Sequence, residues 1–397
     1  MEGLSAYRSR SPYRVTISQI LPVEIIDQSA QLASAVQAMA TSRAIAVDTE
    51  SNSFHHYPEQ LCLIQIATRD RAYIIDTIAV KEIDALEGIL GDSSVMKVIH
   101  GADYDLRSLD RHCGFRVRGL YDTSVAARFV GITRFGLADL IKELLSVSIQ
   151  KSKRLQLTDW GRRPLPSEAL DYAVSDITSL LALHGILSER VRNLGRTAWV
   201  AEECARLEEV RYIEPNFETA FLSMKGARDL DERGLAILQS LFTFRESEAR
   251  LQHRPPFFII PDAALVFIAG NPTARLEDIP GLGQSGLQRY GRGIQQAIRD
   301  GMAAPPATRP AAAFEYPSRE EIERLRSLKT WRTLQGTKLS LDPSLVWPAT
   351  SLARLAKGLS SLDIEIRSKD VRVWQSEQSA KSLKSYLESL PRRIHNC

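Results

Sequence analysis

The chain has 397 residues, 44% of them apolar and 25% charged, with 51 Lys and Arg against 48 Asp and Glu for a net charge of +3. That length suits two or three domains, the apolar share excludes a wholly disordered chain, and the small positive balance neither demands nor opposes a polyanionic partner. The four cysteines, Cys62, Cys113, Cys204 and Cys397, have no CxxC spacing and offer no zinc or dithiol motif. The first twenty residues lack the apolar stretch of a signal peptide. No run of about 18 apolar residues predicts a membrane span, so the expectation is a cytoplasmic protein with reduced thiols.

In chain order, an extension over 1–22 precedes an α/β domain expected over 23–211. Its strands are short, apolar and β-branched: RAIAVDTE from Arg43, LCLIQIA from Leu61, AYIIDT from Ala72 and VMKVIH from Val95. Connections too short for a helix predict that the first three pair antiparallel, giving a mixed sheet flanked by helices. A helix from Tyr104 should end at Gly114 as its C-cap, and a long one should start at Ser167 as its N-cap. Residues 228–303 read as a helical domain, 304–317 as an Ala/Pro-rich linker, and 318–397 as a second helical domain. LQSLFTFR from Leu238 and LRSLKTWR from Leu325 share the pattern L-x-S-L-x-T-aromatic-R. Each is followed by a turn-like pair, Pro261-Asp262 or Asp342-Pro343, which predicts duplicated modules.

Asp48 and Glu50 close the first of these strands. Strand alternation points both the same way, and two such carboxylates repel unless a cation compensates. Hard oxygen ligands suit Mg²⁺ or Mn²⁺. Asp105 follows VMKVIH near a helix start, where a loop can aim it at the same sheet edge; its neighbour Asp103 could serve instead, or cap that helix. Tyr172 and Asp176 sit four apart on the long helix, stacked on one face. A lone DxE reads as a solvated strand end and a lone YxxxD as packing. The ordered set of DxE, later Asp and helical YxxxD is far more specific.

These residues resemble the three exonuclease motifs of the DEDDy branch of the DnaQ-like superfamily, and of the ribonuclease D family in particular. The first motif resembles VDTESNSFHHYPEQLCLIQIA, the second VIHGADYDLRSL, and the third TDWGRRPLPSEALDYAVSDITSLLALH. The resemblance implies an RNase H-like exonuclease fold. It implies two divalent ions held by Asp48, Glu50, Asp105 and Asp176, with Tyr172 orienting the attacking water. Asp105 is preferred over Asp103 because the family's aspartate precedes a leucine, here Leu106. The stretch SIQKSKRLQLTDW is irregular against the family pattern. The segment containing RPPFFIIPDAALVFIA is similar to the HRDC domain, a helical nucleic-acid-binding module, and 318–397 resembles a second, divergent copy.

Within KSKRLQLTDWGRR, basic residues accompany an aromatic, the composition that suits a nucleic-acid strand. Lys151, Trp160 and Arg163 are the candidate substrate contacts; a solvated basic loop is the plain alternative. GLGQSG from Gly281 fits GxGxxG, but it follows no predicted strand and no acid lies about 20 residues on, so no nucleotide cofactor is expected. The expected activity is 3′→5′ hydrolysis of RNA to nucleoside 5′-monophosphates. The resemblance implies tRNA precursors and other small stable RNAs as substrates. A DNA-directed exonuclease and a non-catalytic nucleic-acid-binding scaffold are the alternatives.

Overall fold

The apolar runs pair into one six-stranded sheet of order β1-β4-β3-β2-β5-β6, comprising β1 (Val23–Ile26), β2 (Ala44–Ser51), β3 (Leu61–Ala67), β4 (Ala72–Asp76), β5 (Met96–Ile99) and β6 (Leu120–Asp122). The computed structural model describes residues 21–147, 153–309 and 317–390. β2, β3 and β4 run antiparallel, as the short connections require. β1 joins β4, β5 joins β2 and β6 joins β5, all in parallel. The sequence reading missed β1 and β6, which have only four and three residues. Every residue of β3 is buried because both its faces are covered.

Gly114 does cap the helix Asp103–Cys113, in the left-handed conformation at φ 71° with its N–H on the Asp110 carbonyl. The long helix begins one residue earlier than expected: Pro166 is the N-cap and Ser167 the first helical residue, with no side-chain cap. It breaks at Ser179 into Ser167–Thr178 and Leu180–Asn193. By length and hydropathy 167–193 could cross a membrane, contrary to the sequence reading. Its Ala169, Ala173, Ile177, Leu183 and Leu187 are instead buried in the protein.

Two helical modules follow, built in the same order. Helices begin at Glu232, Pro256 and Asp262 in the first, and 87 residues later at Arg319, Pro343 and Ala349 in the second. Each closes with a long helix, Gly283–Ala303 and Val373–Ser389. The arginine ending each repeated motif does the same work: Arg245 Nη1 donates to the Ile260 carbonyl at 3.2 Å, and Arg332 Nη1 to the Trp347 carbonyl at 3.3 Å. Each carbonyl precedes a proline, Pro261 or Pro348, that starts the next helix. This register corrects one detail of the sequence reading. Pro261 corresponds to Pro348, and Asp342-Pro343 to Pro255-Pro256.

The second module is fastened to the sheet domain. Trp374 stacks on Trp199 at 5.0 Å and 20° and meets Phe129 edge-on at 5.2 Å. Its indole N–H donates to Glu203 Oε1 at 3.1 Å, and Arg372 Nε donates to the same carboxylate at 3.0 Å. Leu341 and Trp374 thereby join the core of the sheet domain. The first module has its own core and meets the sheet domain through the loop after β2.

Candidate active site

The carboxylates come from three elements. β2 carries Asp48 and Glu50. β5 pairs with β2 only at residues 44–46, so the β2 edge is open beyond Ala46. The helix Asp103–Cys113, which follows β5, packs against β2 and brings Asp105 there. The Thr49 hydroxyl donates to Asp105 Oδ1 at 2.6 Å. Helix Ser167–Thr178 packs on β2, β3 and β4 and delivers Tyr172 and Asp176, one helical turn apart, with the Asp176 charge acting on the phenol. Asp103 instead turns outward and pairs with Arg107 at 2.8 Å, so Asp105 is the member of that pair at the site.

Electrostatics binds the set together. Burial and then repulsion from Asp105, Glu50 and Asp176 push Asp48 well above the usual carboxylate range. Burial, Asp176 and Asp105 push Glu50 up to about 8. Burial raises Asp105 to about 7 against the opposing bond from Thr49. Burial likewise raises Asp176 to about 6, although the Tyr172 hydroxyl stabilises its charge. Among the described residues, no Lys or Arg is among the leading causes that shift these four. Among the described residues no three His, Cys, Asp or Glu side chains are gathered tightly enough to cage an ion as they stand. Four such carboxylates repel one another, and an oxygen-preferring divalent cation is the counter-charge that such a donor set fits.

Burial, followed by the Asp176 charge and hydrogen bond, holds the Tyr172 phenol above its ordinary range. It is a hydrogen-bond donor at neutral pH and no base. Behind it lies Trp160, only 1% exposed, with ring centroids 6.4 Å apart. That corrects the sequence reading, since a ring this buried offers no face to a base. Arg163 is also committed elsewhere, donating to Asp76 at 2.5 and 2.7 Å and to the Trp160 carbonyl at 2.7 Å. It fastens its loop to the end of β4 instead of reaching substrate. Lys151 lies outside the described residues.

Sequence reasoning missed two supporting residues. Asp122, buried at the end of β6, accepts from the N–H groups of Gly101 at 3.0 Å and Ala102 at 2.8 Å while capping its own helix through Ser124 at 2.7 Å. It thus fixes the turn, with Gly101 at φ 72°, that launches the Asp105 helix. An aspartate directly before Thr-Ser at a helix start is a legible N-cap signal. Gln65 pairs across the sheet with Asp48, and both of its side-chain polar atoms are buried without a partner. Such an orphan amide is kept at a cost, and only the register shows that it lies beside the site.

Known proteins match along most of the chain. A 3′-5′ exonuclease family model matches residues 23–192 and an HRDC domain model residues 234–298. Ribonuclease D of Desulfotalea psychrophila is 30% identical over 80% of this chain and 86% of its own length. Ribonuclease D of Zymomonas mobilis is 32% identical over 71% and 73%. The crystal structure of Escherichia coli RNase D, described as an exoribonuclease involved in structured RNA processing, superposes with a TM-score of 0.72 over 94% of this chain and all of that one. At 23% identity that match speaks for the fold.

Proposed function

We propose, for a chain that belongs to the ribonuclease D family and is a 3′→5′ exoribonuclease of it, that Asp48, Glu50, Asp105 and Asp176 hold two divalent ions, Mg²⁺ or Mn²⁺, at the 3′ end of an RNA strand. The observation that carries this reading is the buried, mutually repelling set of four carboxylates, whose leading perturbations are burial and one another's charge. Bound there, such ions supply Lewis-acid stabilisation of the scissile phosphodiester and a more acidic water. The protein's own part is positional. Thr49 and Asp122 fix Asp105, and the buried Trp160 ring backs Tyr172. The Tyr172 hydroxyl, protonated at neutral pH, orients the attacking water by a hydrogen bond. The products are nucleoside 5′-monophosphates. The natural substrates in this reading are tRNA precursors and other small stable RNAs with a free 3′ end, met in the cytoplasm, as the resemblance to the ribonuclease D family implies. The same geometry would accept DNA unless the 2′-hydroxyl is read.

The test uses matched single-stranded RNA and DNA labelled at the 5′ end, with Mg²⁺, Mn²⁺ or EDTA. RNA should shorten stepwise from its 3′ end with either metal and remain intact in EDTA. Asp48→Asn should abolish shortening while melting stays cooperative, because a ligand charge is lost without a change of shape. Wild-type turnover in that variant would refute the metal site. Faster loss of DNA than RNA would reassign the substrate.

A further inference from the structure

The loop that leaves the catalytic strand ends in an exposed aromatic seam shared with the first helical module. Phe54, four residues beyond Glu50, is 53% exposed; Phe257 and Phe258, on the one-turn helix Pro256–Ile259, are 47% and 49% exposed. The rings of Phe54 and Phe257 are 6.4 Å apart at 66°, and those of Phe257 and Phe258 4.6 Å apart. The seam is held rigidly at both ends. The Tyr104 hydroxyl, on the residue before Asp105, bonds Ser51 and donates to Glu59 at 3.3 Å. Tyr57 N–H donates to the His253 carbonyl at 3.3 Å, and the Tyr57 hydroxyl donates to Glu246 at 2.5 Å. Positive charge flanks the rings. The Arg254 guanidinium lies 4.9 Å over Phe258, and that of Arg250 5.5 Å over Tyr57.

The duplicated module shows that these rings are not a requirement of the turn. At the 87-residue offset, Phe257 and Phe258 correspond to Ser344 and Leu345. There the turn is docked on the sheet domain: the Ser344 hydroxyl accepts from Arg128 at 3.1 Å and Leu345 packs against that domain's core. The same turn in the first module carries two large rings and leaves half of each in water, a costly arrangement unless something covers them. Half-exposed rings beside arginines, on a path leading from the catalytic carboxylates, match a single strand of nucleic acid: bases have faces to stack, and phosphates need cations.

We propose that Phe54, Phe257 and Phe258, with Arg254 and Arg250, form a stacking platform for unpaired bases of the RNA strand upstream of its 3′ end. This rests on the exoribonuclease reading above. A strand whose terminal phosphodiester lies at Asp48 and Glu50 crosses the loop at Phe54 and continues onto the first module, which makes the module part of the substrate path.

The full chain in EDTA, where no cleavage occurs, is titrated with 5′-fluorescein single-stranded RNA of about ten nucleotides, and anisotropy is read. Phe258→Ala and Phe257→Ala should each weaken binding roughly 5- to 100-fold, the range for losing one base-aromatic stack. Phe258→Trp should restore it, and the loss should shrink as the RNA is shortened to a dinucleotide. Alanine variants that bind the longer RNA within about twofold of wild type, or lose as much for the dinucleotide, overturn the platform. Phe257 touches Phe54, so Phe258→Ala at unchanged melting temperature is the decisive variant. Cleavage by the wild-type chain with Mg²⁺ is scored separately. Its absence alongside Phe258-dependent binding would remove the nuclease reading and leave the platform standing.

Discussion

The two helical modules share a helix order, an 87-residue offset and an arginine lock on a carbonyl before proline, yet they face the nuclease domain differently. The second buries Trp374 against Trp199 and Phe129 and closes an Arg372–Glu203 pair, so part of the nuclease core belongs to it. The first touches the nuclease domain through a tyrosine hydroxyl and half-exposed phenylalanines. The difference teaches that two modules with the same helix order and the same internal lock can make unlike contacts. The second forms a wall of the nuclease domain, while the first keeps the rings of its turn half-exposed.

The largest expected effect tests that wall. Trp374→Ala removes a 2%-exposed indole with its stack and its bond to Glu203, and should destabilise the nuclease domain by about 3–5 kcal/mol. Phe258→Ala should cost far less, since half the ring is already in water. Equal losses in urea unfolding would end the distinction between the modules.

Next in size is an effect that belongs to neither module. Glu50 and Asp105 are raised to about 8 and about 7 in the folded protein, from ordinary carboxylate values near 4 to 4.5 when unfolded. Between these values the folded state binds more protons than the unfolded one, so metal-free stability falls as pH rises, from about 4.5 to about 8. Melting in EDTA should drop across that window, and excess Mg²⁺ should reverse the drop. Glu50→Gln should flatten the profile, whereas Phe258→Ala should leave its shape intact. A metal-free melting temperature that climbs between pH 5 and 8 would contradict the repulsion inferred at the site.

How much of this was legible in the sequence depends on what each signal measures. Strand alternation and helical spacing report direction, so they put Asp48 with Glu50 and Tyr172 with Asp176, while the set as a whole and the choice of Asp105 over Asp103 come from the resemblance to the ribonuclease D motifs. Composition reports chemistry without burial, which is why Trp160 and Arg163 were read as substrate contacts although one lies in the core and the other clamps Asp76. The strands β1 and β6 are too short for periodicity to register, and Asp122, which ends β6, was missed with them. The exposed Phe257–Phe258 pair looked like any apolar run. Only its setting, beside Phe54 and unlike Ser344–Leu345, gives it meaning.

The smallest expected effect sharpens the loose side of the comparison. Tyr57→Phe deletes the hydroxyl that donates to Glu246, a carboxylate of the first module with little exposure, and should cost about 1–3 kcal/mol at that junction. Hydrogen exchange should show the loss confined to the β2–β3 loop and the helix Glu232–Leu251. A loss spread into the sheet would mean that the first module is as integral as the second.

The Trp374–Glu203 contact spans 171 residues of chain, and this sets a clock on biosynthesis. At roughly 5–20 residues per second, about ten to thirty seconds separate the emergence of the two partners from a ribosome. Throughout that interval Trp199 and Phe129 lack the indole that covers them in the finished fold. The nuclease domain cannot complete its outer wall until the helix Val373–Ser389 has been made, and a chain broken off before residue 374 leaves that aromatic patch bare as a mark for quality control.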